Sequence, residues 1–212
     1  MDHVRKVGVR PELYKDDAHK VELQSRNGVW QFDEVVRLID RSDGELRLTR
    51  RKILRLHRFA IQDIYQCAGR FREWPVAIRG SLHKPPEARY IKGLVAEMCA
   101  TANREMDWSP SKTAAFLLWR LNWIHPFGGG NGRTSRALGY YALCVRYGLR
   151  FPGRFTIAEQ IDRDRRRYQD ALEDADAAWR EHSLDVSLME SLIEDLLERQ
   201  LAYLDETPLD PL

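Results

Sequence analysis

The chain has almost nothing that a disulfide framework, a metal cluster or a membrane would use. Its 212 residues include three cysteines, Cys67, Cys99 and Cys144, an odd number with no close pair and no histidine nearby. That spacing excludes a stapled secreted scaffold and a thiolate metal site, and it reads as three reduced residues within apolar helical pattern. No apolar run reaches the length that crosses a bilayer, and the stretch MDHVRKVGVRPELYKDD holds no apolar core for export, so the expected location is the cytoplasm with no membrane contact. An excess of one charge is also missing. Lys and Arg total 34 against 32 Asp and Glu, a net charge of +2, so bulk charge points to no polyanionic partner. Two arginine-rich stretches, Arg47–Arg58 and Arg163–Arg167, carry acids around them or lie on one helix face, and they read as solvated faces rather than a nucleic-acid surface.

What is present is helical periodicity. With 43% hydrophobic and 31% charged residues, the composition is that of an ordinary globular protein. Residues 1–45 read as an irregular N-terminal arm, punctuated by Gly8, Pro11 and Asn27-Gly28, with one short amphipathic helix over Phe32–Asp40. Leu46–Ala68, Ile91–Asn103 and Thr113–Ile124 follow the helical repeat, and Ser109-Pro110 supplies an N-cap followed by proline in the first helical position. Thr113–Ile124 is apolar nearly all round, which places it at the centre of a core. Trp74–Pro86 breaks the period, alternates briefly and contains Gly80-Ser81, which predicts a short hairpin. A helix starting near Asn131, a long one over Thr156–Ala178 and another over Leu184–Leu204 follow. The expected architecture is all-α with one small β-hairpin, arranged as an arm (1–45), a core (46–180), a C-terminal helix (181–204) and a tail (205–212).

The stretch HPFGGGNGRTSR, His125–Arg136, interrupts two of these helices. Pro126 disfavours helical backbone at His125 and so ends the central helix there. Glycines at 128, 129, 130 and 132 let the chain turn sharply and let a ligand approach closely. The helix that begins at Asn131 turns its free N–H groups and positive dipole end toward the same space. Arg133 and Arg136 lie one turn apart on that helix. An amide nest beside two guanidiniums and an imidazole suits several phosphates in a row, as in a nucleotide di- or triphosphate. The pattern fits neither the P-loop nor the dinucleotide fingerprint: Arg133 stands where the P-loop has lysine, and a helix rather than a strand precedes the loop.

This stretch resembles the signature of Fic (Fido-fold) proteins, His-Pro-Phe-x-(Asp/Glu)-Gly-Asn-(Gly/Lys)-Arg-x-x-Arg. His125, Pro126, Phe127, Gly130, Asn131, Gly132, Arg133 and Arg136 fit, and Gly129 stands where the acid belongs. LHRFAIQDIYQCAGRFR, Leu56–Arg72, is similar to the helix that precedes the family's β-hairpin flap, and VAIRGSLHKPP resembles the flap itself. The resemblance covers roughly Leu46–Ala171.

The resemblance implies transfer of AMP from ATP to a Ser, Thr or Tyr hydroxyl of a target protein. His125 would be the general base. Gly128, Gly129, Gly130, Asn131, Gly132, Arg133 and Arg136 would bind the nucleotide, with Arg133 on the β-phosphate and Arg136 on the γ-phosphate. The flap residues Val76, Ala77, Ile78, Arg79, Gly80, Ser81, Leu82 and His83 would align the target as an added strand. Mg²⁺ is expected, without the carboxylate that usually ligates it. Three outcomes of the Gly129 departure stay open: Mg²⁺ arriving on ATP with transfer slowed, another residue supplying the metal ligand, or no adenylyl transfer, the domain being a non-catalytic nucleotide-binding module that regulates a partner or a user of another phosphate-containing donor. The family's inhibitory pattern, (Ser/Thr)-x-x-x-Glu-(Gly/Asn), is not matched, because Thr101–Glu105 runs into Met106. Restraint by a separate inhibitor protein or by homo-oligomerisation stays open as well.

Overall fold

A computed structural model describes residues 12–151 and 155–206. The described residues form eight α-helices: α1 (Asp17–Asp40), α2 (Arg50–Ile61), α3 (Ile91–Arg104), α4 (Pro110–Ile124), α5 (Asn131–Tyr147), α6 (Ile157–Arg163), α7 (Arg165–Arg180) and α8 (Ser187–Glu206). None of them is long and apolar enough to cross a membrane.

The core is built around α4. Its expected cap is in place, with the Ser109 side chain accepting from the Lys112 N–H and Pro110 opening the helix. Leu117, Leu121 and Ile124 are fully buried, as are Ala114 and Ala115. Helices α3, α5 and α8 pack around it. Even Arg120 is buried at 3% exposure. Its guanidinium lies 4.4 Å from the ring centres of both Trp123 and Trp179, a cation–π arrangement that offsets part of its desolvation.

Several expectations are corrected. The N-terminal helix is not short: it runs 24 residues from an Asp16 N-cap, straight through Asn27-Gly28. Long-range contacts override the local turn signal. Asn27, fully buried, donates from Nδ2 to the Gln62 carbonyl at 2.7 Å, and Gln31 donates to the Leu56 carbonyl at 3.0 Å. Glu34 meets Arg55 at 2.6 Å. These contacts rivet α1 to α2. The α2 helix in turn stops at Ile61, not Ala68, and residues 62–69 are turns on either side of a bridge residue, Tyr65. The expected helix over Thr156–Ala178 divides at Asp164, whose φ of −125° and ψ of 81° lie outside the helical region. Asp competes for its own backbone hydrogen bonds and suits such a junction. On α8, Leu188 is 47% exposed while Leu192 and Leu196 are buried, so Leu188 does not share their inward stripe.

The expected hairpin is absent. Residues 74–87 form no strand, and among the described residues the only isolated bridge joins Glu12 to Tyr65. Pro75, Pro85 and Pro86 remove ladder donors. What remains is a turn, with the Ser81 N–H donating to the Ile78 carbonyl at 3.3 Å and Gly80 at φ +77°. The expectations for Gly8, Pro11, the Gly148–Arg154 loop beyond Phe151 and most of the tail fall outside the described residues.

Candidate active site

The sequence stops α4 at Ile124, and His125 takes up a left-handed backbone at φ +47°. That conformation is uncommon for a residue with a Cβ and costs of order 1–3 kcal/mol, so the surroundings must enforce it. Arg72 does so. Its side chain, 2% exposed, donates Nε to the His125 carbonyl at 2.8 Å, Nη1 to Trp74 at 3.0 Å and Nη2 to Pro86 at 2.6 Å. One guanidinium thus ties both ends of the flap segment to the histidine.

The imidazole faces Asn122, with Nδ1 3.3 Å from that residue's carbonyl. A carbonyl only accepts, so the proton sits on Nδ1 and the Nε2 lone pair is free to take another. Burial lowers the His125 pKa to about 4, with Arg72 and His83 adding to the effect and the Asn122 carbonyl opposing it. The ring is therefore neutral near pH 7, the form a general base needs.

The loop after His125 is held from within. Phe127 is fully buried and stacks on His57 with centroids 3.6 Å apart. His57 accepts at Nδ1 from the Gly69 N–H at 3.1 Å and donates from Nε2 to the Gly129 carbonyl at 3.0 Å. Burial drives its pKa down to about 3, so it is a neutral brace. Two glycines are dictated by this packing. A Cβ on Gly128 would lie 2.9 Å from the Trp74 ring, and one on Gly130, at φ +77°, would lie 2.6 Å from Ile61 Cγ2. Asn131 spends both ends of its amide on Phe127, accepting from its N–H and donating to its carbonyl, each at 3.0 Å.

Helix α5 opens from Gly130 with no side-chain cap, which leaves its first-turn N–H groups for a ligand. Arg133 stands beside them, half-buried. Nη1 donates to the Ala60 carbonyl at 2.7 Å, and among the described residues no carboxylate pairs with it. Desolvation lowers its pKa from the ordinary arginine value. Arg136 lies 3.4 Å from Asp162, which also meets Arg165 at 3.2 Å.

These groups converge on a cleft of about 400 Å³. Of the residues expected to bind nucleotide, Gly130, Gly132, Arg133 and Arg136 line it together with His125, whereas Gly128, Gly129 and Asn131 build the underside of the loop. From the flap segment, Ile78, Arg79, Gly80, Ser81 and His83 line the cleft, and Val76, Ala77 and Leu82 do not. His83 pins that segment, with Nε2 donating to the Trp123 carbonyl at 2.7 Å. Asn122 braces the floor, with Nδ2 2.9 Å from both Ser135 Oγ and Tyr168 Oη. Asp162, Glu173 and Asp176 reach the rim, yet no group of three His, Cys, Asp or Glu among the described residues gathers to hold a metal.

Sequence reasoning missed His57 and Arg72 as functional supports. A signal existed for His57. It falls at an apolar position of the α2 face, between Ile53 and Ala60 at i+4 and i+7. Arg72 closes the Leu56–Arg72 stretch that resembles the family, but its role was hidden because its partners lie up to 53 residues away.

Residues 47–143 match the model of the Fic/DOC family. Within those residues the chain resembles the Fic/DOC family. Over 120 residues it is 32% identical to "Protein adenylyltransferase Fic" of Drosophila grimshawi, a match covering 55% of this chain and 24% of that protein. Over 110 residues it is 34% identical to "Probable protein adenylyltransferase y4lH" of Sinorhizobium fredii, covering 50% of this chain and 55% of that one. The chain thus spans about a quarter of the fly relative and about half of the bacterial one. Its fold is that of a Fic-domain signaling protein from Bacteroides thetaiotaomicron, with a TM-score of 0.66 at 18% identity, covering 88% of this chain and 74% of that one. It is likewise that of residues 134–508 of Fic-1 from C. elegans, with a TM-score of 0.59 at 22% identity, covering 86% and 52%.

Proposed function

We propose that this Fic-like domain is a protein adenylyltransferase of the cytoplasm, moving AMP from ATP to a Ser, Thr or Tyr hydroxyl of a target protein. The observation that carries the reading is a half-buried arginine with no carboxylate, next to open helix amides and a neutral imidazole. A phosphate chain supplies the anion that Arg133 lacks. With the α-phosphate at the α5 N-terminus, the first-turn amides meet charge as it develops there. Arg133 holds the β-phosphate. Arg136 turns from Asp162 to the γ-phosphate. The target backbone lies along Ile78–Ser81, and its hydroxyl delivers a proton to His125 Nε2 as oxygen attacks the α-phosphorus and pyrophosphate leaves. Asn131 also shapes the loop, through its two contacts with Phe127.

Gly129 favours a second reading, a nucleotide-binding regulator without transfer. A ligated metal stabilises such transition states by several kcal/mol, so lacking its carboxylate slows transfer by about 100-fold or more at ~1.4 kcal/mol per tenfold. Mg²⁺ would then enter only on the donor. Incubation with α-labelled ATP and lysate, using wild type, His125→Ala and Gly129→Asp, separates the two. Label in wild type that disappears in His125→Ala supports the transferase. Label confined to Gly129→Asp supports the regulator, and equal label in wild type and His125→Ala removes the assigned base.

A further inference from the structure

Behind the cleft lies a second cavity of about 220 Å³, between α1, α5 and α6. It shares Arg133, Arg136 and Ile161 with the cleft, so the two arginines form a common wall. The remaining surface is mainly apolar, from Phe32, Val35, Ala137, Leu143, Ile157 and Ile193. Neighbouring polar groups are engaged elsewhere: Gln31 Nε2 donates to Leu56, Tyr140 Oη to Phe151, and Thr156 Oγ1 caps α6. The guanidiniums are the strong donors left for a ligand.

Gly28 marks the mouth of this cavity. It sits in the middle of α1, where glycine is destabilising relative to alanine. Nothing in the fold calls for it: its φ is not positive, and a Cβ there would meet nothing within 4 Å. Gly28 is exposed and lines the cavity, so a side chain there has open space to enter.

We propose that this cavity binds a medium-chain fatty-acid anion, its tail among the apolar walls and its carboxylate on Arg136 and Arg133. The walls suit a chain rather than a second polar head, and a guanidinium pair suits a carboxylate. Binding draws both arginines from the cleft and so lowers its affinity for phosphate. That last effect rests on the nucleotide reading; occupancy of the cavity does not.

Octanoate is titrated calorimetrically into the full chain, wild type and Gly28→Leu, with octanol as the uncharged control. The Cβ of a leucine at 28 meets nothing within 4 Å, and leucine improves helix propensity, so the variant is expected to melt at or above the wild-type temperature with its side chain at the mouth. The expected result is saturable one-to-one octanoate binding, at least tenfold weaker in Gly28→Leu and at least tenfold weaker for octanol. Saturating octanoate also raises the Kd for ADP at least fivefold in wild type but not in Gly28→Leu. Equal octanoate affinity in the two proteins, equal affinity for octanol, or no saturable binding overturns the proposal. Absence of ADP binding in both proteins sinks the nucleotide reading instead, while the octanoate titration still decides the cavity.

Discussion

Mild acid should unfold this domain well before its carboxylates titrate, because two imidazoles are buried neutral. His57 and His125 have pKa values lowered by burial to about 3 and about 4 from the ordinary imidazole value of 6.5. The unfolded chain therefore binds more protons than the folded one at any pH between the folded and unfolded values, and stability falls as pH falls through that window. Between pH 7.5 and pH 5, each group costs about 2 kcal/mol at ~1.4 kcal/mol per unit below the unfolded pKa, so the pair costs about 4 kcal/mol. That is a large part of a typical domain's total of about 5–15 kcal/mol. The carboxylates with depressed pKa values, Glu45, Asp185 and Asp195, stabilise above their unfolded values and lose that contribution only at lower pH, outside the window. Urea unfolding at half-unit pH steps should give a slope near two protons between pH 6 and pH 5. In His57→Phe, which keeps a ring against Phe127, the slope should fall to about one proton. A flat profile over this range, or one that rises toward acid, would refute the burial argument for both histidines.

Three further outcomes follow from the geometry. Arg72→Met strands the carbonyls of His125, Trp74 and Pro86 and should lower stability by at least about 3 kcal/mol, at ~1–3 kcal/mol for each buried group left unsatisfied, as measured by urea unfolding. Gly130→Ala forces a Cβ into Ile61 at positive φ and should cost at least ~1 kcal/mol; a melting temperature equal to wild type contradicts the loop packing. Asp162→Asn frees Arg136 from an ion pair whose acid is 46% exposed, so nucleotide affinity in calorimetry should rise, by no more than about fivefold given the ~1 kcal/mol ceiling for such pairs.

What could be read from the sequence was what neighbours in the chain decide. Ser109 and Pro110 mark the start of α4, Pro126 its stop, and Asn131 the start of α5, because caps and prolines act within one turn. The helical class and the clustering of His125 with Arg133 and Arg136 followed from the same local signals. What long-range partners decide stayed hidden. Asn27-Gly28 reads as a turn until the Gln62 carbonyl is there to receive Asn27. The flap reads as a hairpin, yet its two sides are held by Arg72 and His83 rather than by each other. Asn131 looks like a phosphate ligand in sequence, and its two contacts with Phe127 show that it also staples the loop.

The claim beneath all of this is that Arg133 and the open amides of α5 form a polyphosphate seat beside His125. Calorimetric titration of ADP into wild type and Arg133→Gln tests it most directly. The account predicts saturable binding that weakens at least tenfold in the variant, about 1.4 kcal/mol or more for a lost charge-assisted contact. Equal affinity in the two proteins, or no binding to wild type at all, would contradict it.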